Sequence, residues 1–445
     1  MRQENKTFFK ELNKLMLPIA FQTFMLAAVA ASDSIMLGLV SQDSLAAVSL
    51  ASKIQFVQNI GLAALVGGGS VLASQYFGKN DFKEVSSIFS LVLRYSVIIS
   101  IIFWAISLFI PEELMRIFTD DINMINIGSK YLRVSSWSYL IVGITQTYLC
   151  MLKVSNKAYL SAIISSIAVV LNILLNAVFI FGLIGFSEMG AEGAALATLI
   201  ARIIELILSI IIVMAYKIKL DKRNIISFEG TIEKEFWKIS SPILLNEAIW
   251  GIGVTIYSIA IGHLGSDATA ANSIASVVKD LVTSLCRGIG VGGGILLGYK
   301  LGSNKLDEAK SYGNKLVKLS IIGGIICGLI ILATMPIALQ MDLSNNAKDY
   351  LTIMLIICAF YMVSKSMNVA IINGIFYAGG DSKFDTYCII TTMWFMIIPL
   401  ALIGTFVFSW PVLVIYLIIS LDEAIKIPFV LARYKKYKWL KNLTK

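Results

Sequence analysis

The sequence predicts an all-α integral membrane protein: twelve transmembrane helices in two parallel six-helix repeats around a central cleft. Three observations carry that prediction. Of 445 residues, 57% are hydrophobic and only 15% are charged, whereas soluble globular domains run at roughly 45–50% apolar and 25% charged. The apolar residues gather into twelve runs, each long enough for a bilayer that takes about 20 residues per helix. The chain also repeats itself after a shift of 224 residues.

In the first half the runs fall near 15–40, 45–75, 86–110, 129–152, 158–185 and 190–217. In the second half they fall near 240–264, 270–300, 314–338, 347–378, 384–408 and 411–432. Several exceed the minimum length, which permits tilt or bending. Pro18 and Pro242 open the first run of each half and are expected bending points. The triplets Gly67-Gly68-Gly69 and Gly292-Gly293-Gly294 lie deep in apolar runs, without the strand and lysine of a phosphate loop. They are read as sites of close helix packing or bending.

Charge sets the orientation. Lys6, Lys10 and Lys14, then Lys79 and Lys83, Lys153 and Lys157, the central Lys217 to Lys238, Lys300 to Lys318, Lys383 and the tail from Arg433 to Lys445 all fall on one side. The opposite loops hold only Arg116, Lys130 and Lys348 among many carboxylates. The basic side, with both termini, is therefore expected to be cytoplasmic. The formal charge of +9 is a topology signal here. It gives no ground for a nucleic-acid partner, because the cations are spread between apolar runs.

The lysine-bearing start followed by Ala27-Ala28-Val29-Ala30 resembles a secretory leader, but the repeat argues against one. The shift places Pro18 on Pro242, Gly38 on Gly262, Asp43 on Asp267, Ala51-Ser52 on Ala275-Ser276, Gly78 on Gly302 and Asn80 on Asn304. The first run thus has a structural counterpart in the second half. Six spans per half is an even number, so the repeats run parallel, as in transporters that rock about a midplane site. The expected domains are residues 1–216 as an N-terminal six-helix bundle, 217–236 as a cytoplasmic linker, and 237–445 as a C-terminal bundle with a short basic tail. Five cysteines inside apolar runs show no metal-ligand spacing, and His263 is the only histidine. With no nucleotide motif and no acid/base constellation, an enzyme is not expected, and an ion gradient is the expected energy source.

Three stretches carry a family resemblance. Asp33-Ser-Ile-Met-Leu-Gly38 with Asp43-Ser-Leu-Ala-Ala-Val-Ser-Leu-Ala51, Gly193-Ala-Ala-Leu-Ala-Thr-Leu-Ile-Ala-Arg202, and Asn373-Gly374-Ile-Phe-Tyr-Ala-Gly-Gly-Asp381 together resemble the multidrug and toxic compound extrusion (MATE) transporters of bacterial type. The resemblance implies a secondary active antiporter in a bacterial inner membrane. It would export small amphipathic organic cations or drugs in exchange for H+ or Na+, act as a monomer in the lipid bilayer and need no cofactor beyond the coupling ion.

Asp33 is the leading site residue. A carboxyl in a span costs roughly 2.5–3.5 kcal/mol on insertion scales, and its repeat partner is Tyr257, so the scaffold does not demand it. Desolvation favours a proton on it, and its oxygens also suit a sodium ion. The alternative is a structural pair with a buried cation or hydroxyl. Asn172 and Asn176 share one helix face at i, i+4, with Thr198 a further oxygen donor. The resemblance puts them at the family's N-half ion site, Asn176 standing where some members carry an acid. Asp33, Asn172 and Asn176 are the ligands expected for sodium, and Tyr131 is expected to approach.

In the second half, Glu247 matches an acidic position of the family's sodium-coupled branch. Lys365 stands in the region where that branch has an aspartate, so a structural pair between Glu247 and Lys365 is the competing expectation. Asp33 with Tyr139, Trp250 and Tyr257 is expected to bind substrate through charge and cation–π attraction, and Tyr148 belongs to the same aromatic set. The remaining charges near span ends, Lys53, Arg94, Arg202, Glu205, Asp422, Glu423 and Lys426 among them, are read as interfacial pairs or snorkelling side chains. A lipid-linked oligosaccharide flippase is the competing function; it predicts several cations on the cavity wall to hold phosphates.

Overall fold

A computed structural model describes residues 2–218, 230–341 and 343–444, and among these there is helix but no strand. In the first half, α1 is Arg2–Val40, α2 Gln42–Gly78, α3 Phe82–Phe109, the short α4 Pro111–Arg116, α5 Ile122–Val154, α6 Ala158–Phe181 and α7 Gly190–Ala215. In the second half, α8 is Thr231–Gly262, α9 Ser266–Gly302, α10 Leu306–Ala338, α11 Asn345–Phe376, α12 Ser382–Phe406 and α13 Val412–Lys435. α11 is π-helical over Val369–Phe376, and α12 over Ile390–Ile397. Ten of these helices are long and apolar enough to cross a membrane by composition alone. The other two long ones, α5 and α13, correspond to the runs near 129–152 and 411–432 and carry more polar residues, Asp422, Glu423 and Lys426 among them. Within the stretch read as linker, residues 219–229, including Lys219, Lys222 and Arg223, lie outside the described residues, as does Asp342 of an outer loop. α8 begins at Thr231, inside that stretch.

Local chemistry fixes several helix ends. The Asp121 side chain accepts from the Asn123 and Met124 amides and starts α5, and Ser344 accepts from the Ala347 amide and starts α11. Each satisfies amides that have no partner inside the helix. Gly182, at φ +68, ends α6, a conformation open to glycine without steric cost.

The repeat is visible in three dimensions. α2 and α9 are both 37 residues long and are offset by the repeat shift. Each ends in the same turn, with Asn80 (φ 64) and Asn304 (φ 59) both left-handed. Asp43 accepts from Asn123 Nδ2 (2.9 Å) at the head of α5. Its repeat partner Asp267 accepts from Ser344 Oγ (2.7 Å) at the head of α11.

The chain forms two compact units. The N-terminal unit comprises Met25–Ala73 and Phe82–Trp237. Its core joins Leu37, Val48, Ala51, Tyr131, Leu132, Tyr139, Ala194 and Ala195. Arg94 and Tyr95 of α3 both bond Glu233 at the start of α8, tying that segment to this unit. The C-terminal unit comprises the chain up to Phe24, Ser74–Asp81 and everything from Lys238 onward. Its core runs through Ala275, Cys286, Cys327, Leu351, Met362 and Ile415.

Glycines permit its closest contacts. A Cβ on Gly374 would come 2.8 Å from the Gly290 carbonyl oxygen, and one on Gly294 would come 3.1 Å from that of Gly374. α9 and α11 therefore touch backbone to backbone. In a bilayer such small-residue contacts replace the missing hydrophobic drive between helices. Gly374→Val is expected to cost at least the roughly 1–3 kcal/mol of ordinary overpacking, read as a lower melting temperature in detergent; an unchanged melting temperature would contradict this packing.

After α13 the tail folds back on the same unit. Trp439 is fully buried, its ring stacked on Tyr434 (5.6 Å) and set against Gly313, while its backbone carbonyl lies against Gly379. Gln75 Nε2 donates to the Ala378 (2.6 Å) and Lys441 (3.2 Å) carbonyls, and Gln75 Oε1 accepts from the Leu443 amide (2.6 Å).

Candidate ion and substrate site

In the N-terminal unit Asp33 sits two turns before the end of α1. α6 presents Asn172 and Asn176, and α7 presents Thr198. Asn176 Nδ2 donates to Asp33 Oδ1 (2.5 Å) and lies 3.2 Å from Asn172 Oδ1. Asn172 Nδ2 is 3.2 Å from Thr198 Oγ1. Turned over, the Asn172 amide puts its nitrogen 3.3 Å from Asp33 Oδ1, and its oxygen accepts from Thr198 Oγ1 (3.2 Å) and Thr198 N (3.3 Å). Both orientations link Asp33 to α7. Asn176 Oδ1 is buried with no hydrogen-bond partner, a cost that a protonated carboxyl or a cation beside it would relieve. The helix spacing of Asn172 and Asn176 therefore produces the cluster the sequence predicts.

Asp33, Asn172 and Thr198 open onto a cavity of about 630 Å³ within this unit. Leu26, Val29, Leu62, Val66 and Val169 supply its apolar wall, and Tyr131 lines it as well. Tyr139, expected on the substrate wall, instead lies in the core at 1% exposure. Its hydroxyl accepts from Ser135 Oγ (3.4 Å). An aromatic ring in a membrane helix suits core, lipid and cavity alike, so composition alone does not select its face.

Lys53 and Arg202, read from sequence as interfacial, also line the cavity. Arg202 Nη1 bonds Glu205 Oε2 (2.6 Å), and buried Glu205 also accepts from Ser165 Oγ (2.8 Å). Sequence reasoning missed the rest of the polar wall, Ser49, Ser52, Gln55 and Asn59 of α2 and Gln146 of α5. The signal was a polar stripe along α2 at steps of three and four residues, the spacing of one helix face.

The remaining expected residues belong to the C-terminal unit. Trp250 and Tyr257 pack against Ile389, Met393 and Ile398, and the buried Tyr257 hydroxyl has no hydrogen-bond partner. Glu247, on α8, makes no ion pair with Lys365. Lys365 Nζ bonds Glu423 Oε1 instead (2.8 Å), because α11 packs along α13 and brings the two together. Asn368 Nδ2 donates to Glu423 Oε2 (2.7 Å), and Lys426 Nζ lies 3.1 Å from Asp422 Oδ2 and 3.8 Å from Glu423 Oε1. Asp422, Glu423 and Lys426 are thus buried members of one network, not interfacial charges. Asp385, which the sequence reading passed over, accepts from Asn246 Nδ2 (2.8 Å) and the Tyr377 hydroxyl (2.6 Å). Its place three residues into α12 resembled a span end.

Comparison with known proteins agrees with this architecture. A family profile described as MatE matches residues 18–178 and again 242–403, once in each repeat. The uncharacterized transporter YisQ of Bacillus subtilis is 24% identical over 442 residues, covering 98% of this chain and 96% of YisQ. A probable multidrug resistance protein NorM of Thermotoga maritima is 24% identical over 332 residues, covering 74% and 71% of the two chains. Among solved structures, a mutant of the Vibrio cholerae MATE transporter VcmN superposes with a TM-score of 0.89 at 16% identity, covering 99% of each chain. With the profile matched in both repeats and the twelve-helix fold in place, the chain belongs to the MatE family and is a multidrug and toxic compound extrusion (MATE) transporter of the membrane.

Proposed function

We propose that this transporter is a secondary antiporter that exports amphipathic organic cations and drugs in exchange for H+ or Na+, with Asp33 the carboxyl for which ion and cargo compete. The buried oxygen set around Asp33 carries this reading, above all the unpartnered Asn176 Oδ1. A protonated Asp33 can donate to that oxygen. A sodium ion would find the carboxylate, amide and hydroxyl oxygens of Asp33, Asn176, Asn172 and Thr198, the hard donors that such cations take. Tyr131 completes the wall beside them, and Glu247 adds negative charge in the C-terminal unit. Facing outward, the protein binds the ion at Asp33 and displaces cargo to the outside; facing inward, it releases the ion and loads cargo. The positive-inside pattern supports cytoplasmic termini, and the protein acts as a monomer.

The flippase alternative needs several unpaired cations around a phosphate group. The cavity wall offers Lys53, while Arg202 is already bonded to Glu205.

In proteoliposomes with proton and sodium gradients imposed separately, export of a fluorescent organic cation is expected under one gradient and is expected to stall when both are dissipated. Export that persists with neither gradient overturns the antiport reading.

A further inference from the structure

The segment that follows α13 is held in two different ways. Residues 433–439 are seated on α10 and the turn after α11. Arg433 donates twice to Asp381 (2.7 Å each), the Tyr434 hydroxyl donates to Asn314 Oδ1 (2.7 Å), and the Trp439 ring is buried. Residues 441–444 contain no aromatic ring and are held by hydrogen bonds to the ends of α2 and α9. The Gln75 amide joins the Lys441 carbonyl to the Leu443 N–H, Lys79 Nζ donates to the Thr444 carbonyl (2.9 Å), and Asn442 Nδ2 donates to the Gly302 carbonyl (3.4 Å). Burying an aromatic ring is a large contribution, whereas such hydrogen bonds exchange for bonds to water at modest net cost. The tip can therefore let go while the seat holds.

The tip grips a helix that is divided between the two units. Residues 42–73 of α2 belong to the N-terminal unit and residues 74–78 to the C-terminal unit. That last turn lies directly on the last turns of α9. A Cβ on Gly298 would meet Ser74 Oγ, one on Gly302 the Gln75 carbonyl oxygen, and one on Gly78 the Tyr299 backbone. Lys79 and Lys300 put both ends on the side that charge marks as cytoplasmic.

We propose that residues 441–444 are a latch: bound to Gln75 and Lys79 they hold the end of α2 on α9, and they release each time that side opens to load cargo. The inference rests on the two-sided exchange cycle above. A helix that belongs to two units carries the motion of one to the other, and its terminal residues absorb the change. The grip on that end therefore sets how readily the cycle passes through the open state. With Trp439 still seated, the freed tip stays close to Gln75 and rebinds at high effective concentration.

The first test locks the latch in the full-length protein. Lys79 lies one turn beyond Gln75 on the same face of α2, Gln75 bonds the Lys441 carbonyl, and both lysines are exposed. Lys79→Cys with Lys441→Cys therefore brings two thiols within reach of a short, reducible thiol cross-linker, while the native cysteines are buried. Cross-linking is expected to cut export of a fluorescent organic cation to the level of vesicles lacking the protein, and reductant to restore it. Cross-linked protein that exports at the unlocked rate overturns the inference. The second test frees the latch. Leu443→Pro removes the amide that Gln75 accepts from, whereas Leu443→Ala keeps the amide and trims the side chain set against Gly380. Hydrogen exchange over residues 74–81 and 296–304 should rise roughly tenfold in the proline variant, the size of one hydrogen bond. In the alanine variant it should stay within about twofold of wild type. Equal rises in both variants, or none with proline, overturn the latch, and this exchange result decides alone if the protein exports nothing. Export that the cross-link stops but that persists with both gradients dissipated would instead remove the antiport reading and leave the latch standing.

Discussion

Asp33→Asn is expected to reduce gradient-driven export to the level of vesicles lacking the protein, while the protein still folds and inserts. The substitution keeps the shape of the side chain and an oxygen for the Asn176 amide to donate to, so packing in α1 should survive. What it removes is the ability to alternate between charged and neutral, or between empty and cation-bound, and in the proposed exchange cycle that alternation is the coupling step. Uncoupled binding of a fluorescent cargo should weaken but remain measurable. Export by the variant at the wild-type rate would sink the assignment of Asp33 as the coupling group. Asp33→Glu, which keeps the charge but lengthens the side chain, should retain partial coupling.

Lys426→Met is expected to be the most damaging single change to stability in the C-terminal unit. Lys426 is 6% exposed and bonds Asp422, while Glu423 stands within ion-pair distance. Removing it leaves two buried carboxylates facing the single ammonium of Lys365. Breaking a buried pair in this way typically costs about 3–5 kcal/mol, because an uncompensated charge remains in a low-dielectric site. A large drop in detergent melting temperature should follow, and the further substitution Asp422→Asn should recover part of it by removing the stranded charge. A single variant as stable as the wild type would mean that the network contributes nothing to the fold.

The fold was legible in the sequence because the membrane imposes it. Long apolar runs must be helices, and the coincidence of Pro18 with Pro242, Asp43 with Asp267 and Asn80 with Asn304 marked the duplication that α2 and α9 display. The polar cluster around Asp33 was legible for a related reason. Asp33, Asn172 and Asn176 are polar where apolar residues would do, and i, i+4 spacing implies a shared face. Faces were less legible elsewhere. A soluble helix announces its buried side by contrast with a polar one, but in a bilayer the lipid side and the core side are equally apolar. Nothing in the sequence therefore separated Tyr139, confined to the core, from Tyr131, which belongs to the same core and also lines the cavity. Charges placed near span ends misled in the same way. Lys53, Arg202, Asp385 and Glu423 resemble interfacial residues by position, and their burial or their place on the wall follows from which helices become neighbours. Glu423 takes Lys365 because α11 lies along α13, a pairing between helices that hydropathy does not encode.

The docked tail has a further consequence. α2 and α9, at 37 residues each, are about 55 Å long, well beyond a hydrocarbon layer of about 30 Å. Arg433, Lys435, Lys436, Lys438 and Lys441 keep the segment around Trp439 out of that layer. Inside the bilayer the helices of this protein gain nothing from water, yet closing the seat of Trp439 between Gly313, Gly379 and Tyr434 withdraws a large aromatic surface from it. Two different solvents therefore hold the C-terminal unit together. Lipid composition should govern the buried helix contacts, while salt, urea and temperature act on this aqueous clasp as they would on a small soluble protein.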